Sequence, residues 1–330
     1  MRYYLKLSCC PIMKKIINNI VFTKNRPLQL DAYLESLYRY FPSELIQTYV
    51  IYKQQLFDKE YQHLFRKYAS CVVIKENGFH SDFLRLLDQI NTKFILFGVD
   101  DVVYFDSVDF DVINETFDTF SEDIFGFSLR FGMENIKGSG DPLSETVVAG
   151  QSVFSLNWTQ GRTSTTRYPF ELCCTIYRTA LVKKVIDNAM NNNPLIRKLF
   201  SPNSLLVKSL GKVTSTRSLL KSFGYFYNPN TLESWNCRWC QNNAGKLPSF
   251  TYFQKLCAAA IQVNMVNTTT KNAFEGTIEH SVEALNDKYK QGYRLDIDFV
   301  ARNKPVDTHG GPKQFKIRAQ KSMKDNEMIN

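Results

Sequence analysis

Two hydrophobic periods alternate along the first hundred residues. Residues 16–23 (IINNIVFT) form an apolar run of strand length. From 27 to 40, Leu30, Tyr33, Leu34 and Leu37 recur at helical spacing with Phe41 next in line, and Pro27 suits a first helical turn. The alternation continues with a strand at 48–52 (TYVIY), a helix at 59–68, a strand at 71–75 (CVVIK) and a helix at 81–90. That helix carries Phe83, Leu86, Leu87 and Ile90 on one face. A fourth strand at 93–99 (KFILFGV) ends on Asp100 and Asp101. Strands that are apolar throughout, alternating with helices, predict a parallel sheet covered on both faces.

The second half is less regular. Strands are expected at 124–129, 172–177 and 258–264, and a helix at 179–190. Ile278, Val282, Leu285 and Tyr289 form a helical stripe that Gly292 could terminate. Residues 195–221 hold six cations and no acid, mixed with leucines, a composition that suits either an anionic membrane interface or a solvated insertion. From residue 301 to 330 the chain is basic and poor in apolar residues, and is expected to be a flexible tail. Residues 1–15 read as an N-terminal extension and 16–300 as one catalytic domain, with halves at 16–135 and 136–300.

Composition narrows the classes. Hydrophobic residues are 44% and aromatics 14%, enough for a large core. The net charge of +9 favours acidic partners such as nucleotides. Nucleic acid is not the expected partner, because the cations are not interleaved with aromatics on one element. No secretory signal or spanning segment is evident, so a cytoplasmic protein is expected, with peripheral membrane contact through 195–221. Cys237-Arg-Trp-Cys240 is a lone C-x-x-C without a second ligand pair, so the eight cysteines are read as reduced thiols rather than a zinc site.

In parallel sheets ligands bind beyond the carboxyl ends of the strands. The loops Lys24-Asn25-Arg26, Glu76-Asn77-Gly78 and Asp100-Asp101 all follow such ends. Buried carboxylates need a counter-charge, from the protein or from a ligand. Two carboxylates at a strand end can also hold a hard divalent cation, and a guanidinium at Arg26 suits bidentate phosphate contact.

The stretches NIVFTKNRPLQLDAYLESLYRYF, VIYK and KENGFHSDFLRLLDQINTKFILFGVDDVVYF resemble the nucleotide-sugar half of GT-A fold glycosyltransferases, family 2-like. The resemblance covers about residues 16–135 and continues loosely through Tyr168-Pro169-Phe170-Glu171. It implies a GT-A type, Rossmann-like α/β fold, with a mixed, mostly parallel sheet and a less regular acceptor-side region. Thr23, Asn25 and Arg26 match the loop that cradles the nucleotide. Asp100 and Asp101 match the second and third positions of the acid cluster, with Val99 at the first, which departs from a full D-x-D. Asp101 is then the expected ligand of Mn²⁺ or Mg²⁺, and Asp100 a ribose partner or a support behind the metal.

Further candidates line the same loops. Glu76 and Asn77 could read the base or ribose. Arg85 could reach the diphosphate, or pair with Asp82 or Asp88. Arg130 is a donor- or acceptor-site cation, or a partner of Glu134. Glu171 is the expected catalytic base, with Asp141 and Glu145 as rivals and pairing with Arg167 or Arg178 as its structural alternative. The implied activity is inverting, hexosyltransferase-like transfer from a nucleoside diphosphate sugar to a glycan or lipid-linked acceptor, in surface polysaccharide or glycoconjugate synthesis. A nucleotidyltransferase would want a glycine-rich phosphate loop where Lys24-Asn25-Arg26-Pro27 stands. A non-catalytic basic binder is the other alternative.

Overall fold

The computed structural model describes residues 15–120, 123–190, 225–243, 247–266 and 277–320. The first part runs β1 (Ile17–Lys24), α1 (Pro27–Tyr40), β2 (Ile46–Lys53), α2 (Asp58–Lys67), β3 (Val72–Lys75), α3 (Phe79–Gln89) and β4 (Phe94–Val99). Next come β5 (Val102–Tyr104), α4 (Phe110–Thr119), β6 (Ile124–Ser128), α5 (Met133–Ile136), β7 (Leu143–Val148), β8 (Gln151–Asn157), β9 (Thr175–Arg178) and α6 (Thr179–Ala189). The remainder is α7 (Pro229–Asn243), β10 (Ser249–Phe253), β11 (Ala258–Ile261), α8 (Val282–Lys290), β12 (Tyr293–Leu295), α9 (Ile297–Arg302), β13 (His309–Gly310) and β14 (Ile317–Ala319).

Among the described residues, nine strands form the main sheet in the order β3-β2-β1-β4-β9-β6-β10-β8-β7. Only β8 and β9 run against the rest, because β9 is antiparallel to β4 and β6, and β8 to β10 and β7. The α/β class and the mostly parallel sheet expected from the sequence are present. β1 is an interior strand buried on both faces, so its apolar residues divide between two cores. Ile17 and Val21 face α1, whereas Ile20 and Phe22 face α3. That is why the strand reads as continuous rather than alternating apolar sequence.

Gly98 sits in β4 because the ring of Tyr33 lies where a side chain would go. A Cβ at 98 would stand 2.1 Å from the Tyr33 hydroxyl. That hydroxyl donates to Asn19 Oδ1 at 2.7 Å, joining α1 to β1.

Four expectations are corrected. Residues 172–174 are not strand: β9 begins at Thr175, and Cys174 adopts a left-handed φ of 65°. β11 ends at Ile261, short of 264, and Ile278 lies outside the helical stripe, being 91% exposed in a short 3-10 turn before α8. Residues 301–320 are no tail. β13 pairs with β11 and β14 with β12, and Arg318 lies 3.2 Å from Asp298. Backbone pairing and ion pairs hold this segment, so its low apolar content misled the sequence reading. The basic segment 195–221, residues 1–14 and residues 321–330 lie outside the described residues. Among the described residues, no helix is long and apolar enough to cross a membrane.

Candidate active site

The carboxyl ends of β1 and β4 lie side by side, with Phe22 opposite Val99. The next residues of each strand meet at this rim. Asn25 turns the chain with a left-handed φ of 54°, and its Oδ1 accepts the Gln55 and Leu56 N–H groups at 3.3 and 3.1 Å. The Asn25 side chain therefore shapes the loop. Tyr61 of α2 fixes the other side: its hydroxyl accepts the Arg26 N–H and lies 2.9 Å from Thr23 Oγ1.

So held, Arg26 reaches across to both aspartates. Its Nη1 is 2.9 Å from Asp100 Oδ1 and 3.1 Å from Asp101 Oδ2. Asp100 also accepts Thr23 Oγ1 at 2.8 Å and the Lys24 N–H at 3.2 Å. A protein cation thus neutralises the acids that end the apolar strand. Burial opposes the Arg26 charge, but Asp100 and then Asp101 outweigh it and raise its pKa. Asp101 is shifted up, chiefly by burial, against the pull of Arg26 and with the push of Asp100.

Two polar atoms here are buried and unpartnered among the described residues: Arg26 Nε and Asp101 Oδ1. Asp100 has both oxygens engaged. For a divalent cation the site therefore offers one open carboxylate oxygen, from Asp101. Among the described residues no group of three or more His, Cys, Asp or Glu stands ready as a cage. The donor set fits a hard ion whose remaining positions are filled by oxygens of a bound ligand, as Mg²⁺ commonly is at phosphate sites.

The flanking candidates are more dispersed. Lys24 Nζ donates to the Val266 carbonyl at 3.0 Å, and Arg26 Nη2 to the Asn264 carbonyl, so the segment after β11 lies across the rim. Burial first, then nearby Lys53, lower the Lys24 pKa. Glu76 pairs with Lys53 at 2.7 Å. The Asn77 and Gly78 N–H groups donate to Asp82 Oδ2 at 2.7 and 2.9 Å, which orders the loop before α3. Arg85 is 53% exposed and lies 3.5 Å from Asp82, the surface pairing that its spacing allowed.

A second polar centre lies across β4. The Cys174 N–H donates to Phe97 O and the Leu129 N–H to Cys174 O, which brings residues 171–174 to the same rim. Here Arg130 pairs with Glu171, not with Glu134, and Glu171 pairs with neither Arg167 nor Arg178. Glu171 Oε1 accepts Thr175 Oγ1 and Oε2 meets Arg130. Both oxygens are engaged and the residue is 2% exposed. This corrects the expectation that Glu171 waits as a free base, since its guanidinium partner is buried with it. Of its rivals, Asp141 accepts the Arg162 N–H and Glu145 the Ser152 hydroxyl, both away from this centre.

Sequence reasoning missed Glu233 on α7. Its Oε1 accepts the Leu172 N–H at 3.0 Å, and it is half-buried. Burial pushes its carboxyl up to about 7; Glu171 adds to the rise, while the Leu172 N–H and Arg130 oppose it. The acid lies in a polar helix, 62 residues beyond Glu171 in the chain, and meets the segment next to Glu171 through the Leu172 N–H.

No family model matches the chain. Among curated proteins, it is 24% identical over 210 residues to the bifunctional glycosyltransferase pgtA of Dictyostelium discoideum. That match covers 57% of this chain and 27% of the Dictyostelium protein, so the chain spans about a quarter of its relative. The chain resembles the GT-A glycosyltransferases. Among solved structures, S. aureus TarS 1–349 in complex with UDP-GlcNAc aligns over 78% of this chain and 61% of its own, at 15% identity and a TM-score of 0.43. Mannosyltransferase PcManGT from Pyrobaculum calidifontis, in complex with GDP-Man and Mn²⁺, aligns over 70% and 71% at 9% identity and a TM-score of 0.31.

Proposed function

We propose that the chain is a glycosyltransferase that moves a sugar from a nucleoside diphosphate donor to a hydroxyl of a glycan or lipid-linked acceptor. One observation carries this reading: two orphaned buried atoms of opposite demand, Arg26 Nε and Asp101 Oδ1, share the sheet rim. An unpaired buried donor or acceptor costs about 1–3 kcal/mol. A diphosphate with its divalent ion satisfies both, the anion at the guanidinium and the cation at the carboxylate. A lone anion would satisfy only the first.

Asp101 would hold Mn²⁺ or Mg²⁺ through Oδ1. When bound, such an ion neutralises the charge that develops on the leaving diphosphate. The chain's own residues do the rest. Arg26 gives a fixed guanidinium for phosphate oxygens. Asp100 keeps that guanidinium oriented through its contact with Nη1. Thr23, Asn25 and Tyr61 hold the loop that carries Arg26. Glu76 and Asn77, on the loop after β3, are proposed to border the nucleoside. Inverting transfer and a role in surface glycan synthesis belong to the same proposal.

The test is binding and turnover. UDP or GDP with Mn²⁺ should raise the melting temperature of the protein, and an oligonucleotide of equal charge should not. UDP-GlcNAc or GDP-mannose should release its nucleoside diphosphate in the presence of protein. Stabilisation by oligonucleotide alone would remove the proposal.

A further inference from the structure

We infer that Glu233 of α7, and not Glu171, takes the proton from the acceptor hydroxyl. The inference rests on the glycosyl-transfer reading above and names a residue for it.

The geometry separates the two carboxylates. A general base needs a lone pair open to the acceptor. Glu171 is 2% exposed, takes the Thr175 hydroxyl at Oε1 and is ion-paired with the likewise buried Arg130 through Oε2, so it presents no accessible oxygen to an acceptor. Glu233 is anchored through Oε1 by the Leu172 N–H, while Oε2 has no hydrogen-bond partner among the described residues. One oxygen is fixed and the other open, in a half-buried position. Leu172 belongs to the bend that hydrogen-bonds to β4 at Phe97, four residues before Asp101. Glu233 is thus tied by one hydrogen bond to the bend that reaches the carboxyl half of β4, the strand that leads to Asp100 and Asp101.

The groups facing Glu233 agree with that role. Glu171 and Arg130 come from the two sides of β9, Leu172 gives its N–H, and Cys173, Cys237 and Tyr168 lie within electrostatic reach. The Arg130 charge is already matched by Glu171, and among the described residues no cation forms an ion pair with Glu233. Its carboxyl sits at about 7, where a base is basic enough to accept a proton and still ionised. In the step, the acceptor oxygen forms a bond to the anomeric carbon as its proton passes to Glu233 Oε2. The bond from that carbon to the β-phosphate oxygen breaks, and the nucleoside diphosphate leaves with the electron pair.

Water can stand in for the acceptor, so hydrolysis of UDP-GlcNAc or GDP-mannose with Mn²⁺ is the probe. Glu233→Gln should lower hydrolysis about a hundredfold or more, within the usual range for a general base. Calorimetric binding of UDP should stay within about threefold of the parent, a bound far smaller than that catalytic loss. Formate should restore part of the rate to Glu233→Ala. The parent rate should rise with pH to a plateau, with a midpoint near 7, and Glu233→Gln should lose that limb. A Glu233→Gln rate close to the parent's overturns the inference, and so does a parallel loss of UDP binding and melting temperature without formate rescue. A parent that neither binds UDP or GDP nor hydrolyses either donor overturns the donor reading first, and this inference with it.

Discussion

Arg130 and Glu171 face each other as an ion pair with side chains 8% and 3% exposed. Removing one partner of such a pair leaves the other charge buried, at a cost of about 3–5 kcal/mol. Glu171→Gln is therefore expected to unfold at markedly lower urea concentration than the parent. Arg130→Met combined with Glu171→Leu should recover much of the loss, because a packed apolar pair carries no desolvation cost. An unchanged urea midpoint for Glu171→Gln would show that the pair does not support the fold.

Asp101→Asn should separate chemistry from folding. Asp100 still neutralises Arg26 in this variant, so the melting temperature should remain near that of the parent. Nucleotide release should fall about a hundredfold or more, a loss on the scale that catalytic metals supply, and Mn²⁺ should no longer stimulate it. Full Mn²⁺ stimulation in the variant would exclude Asp101 as the ion's ligand.

Gly98→Ala tests the seat of the aspartates. The added methyl overlaps the Tyr33 ring and disturbs its bond to Asn19. Overpacking of this kind costs about 1–3 kcal/mol. Equilibrium unfolding should show that loss, and UDP binding should weaken with it, because β4 carries Asp100 and Asp101.

Glu233 also makes a prediction about stability. Its folded pKa of about 7 lies above the ordinary glutamate value of 4.5. The native state thus binds this proton more tightly than the unfolded chain does. The stability it contributes is fully present below the ordinary value and is lost as pH rises through 7. Glu233→Gln should melt higher than the parent at pH 8 and close to it at pH 5. Melting curves at the two pH values measure this directly, and equal shifts at both would contradict it.

Much of the rim at β1 and β4 was legible in the sequence because its signals are local. α1 runs from Pro27 to Tyr40 as the proline and the leucine stripe indicated. The aspartates follow β4 at the strand end, where a parallel sheet binds ligands. What the sequence hid were pairings between distant positions. Arg26 and Asp100 are 74 residues apart, and nothing local told whether Arg26 would face a phosphate or the acids. Arg130 had Glu134 nearby yet turned to Glu171. Cys174 takes a left-handed turn without being glycine, and that turn ends what looked like a strand. Glu233 resembled any solvated acid on a polar helix until its neighbours were known.

The direction of β9 has a consequence for how such a chain can diversify. Because β9 runs against β4, the connection that enters it, and not the one that leaves it, delivers residues 171–174 to the rim. That connection starts from β8, which lies beyond β6 and β10 in the sheet. Lengthening or shortening the stretch between Trp158 and Phe170 would reposition residues 171–174 while β1 to β4 kept their register. Under the proposed function, donor recognition is tied to strand pairing, whereas acceptor recognition hangs on a loop. If the proposed transfer is correct, substitutions and insertions there can change what receives the sugar without changing what supplies it.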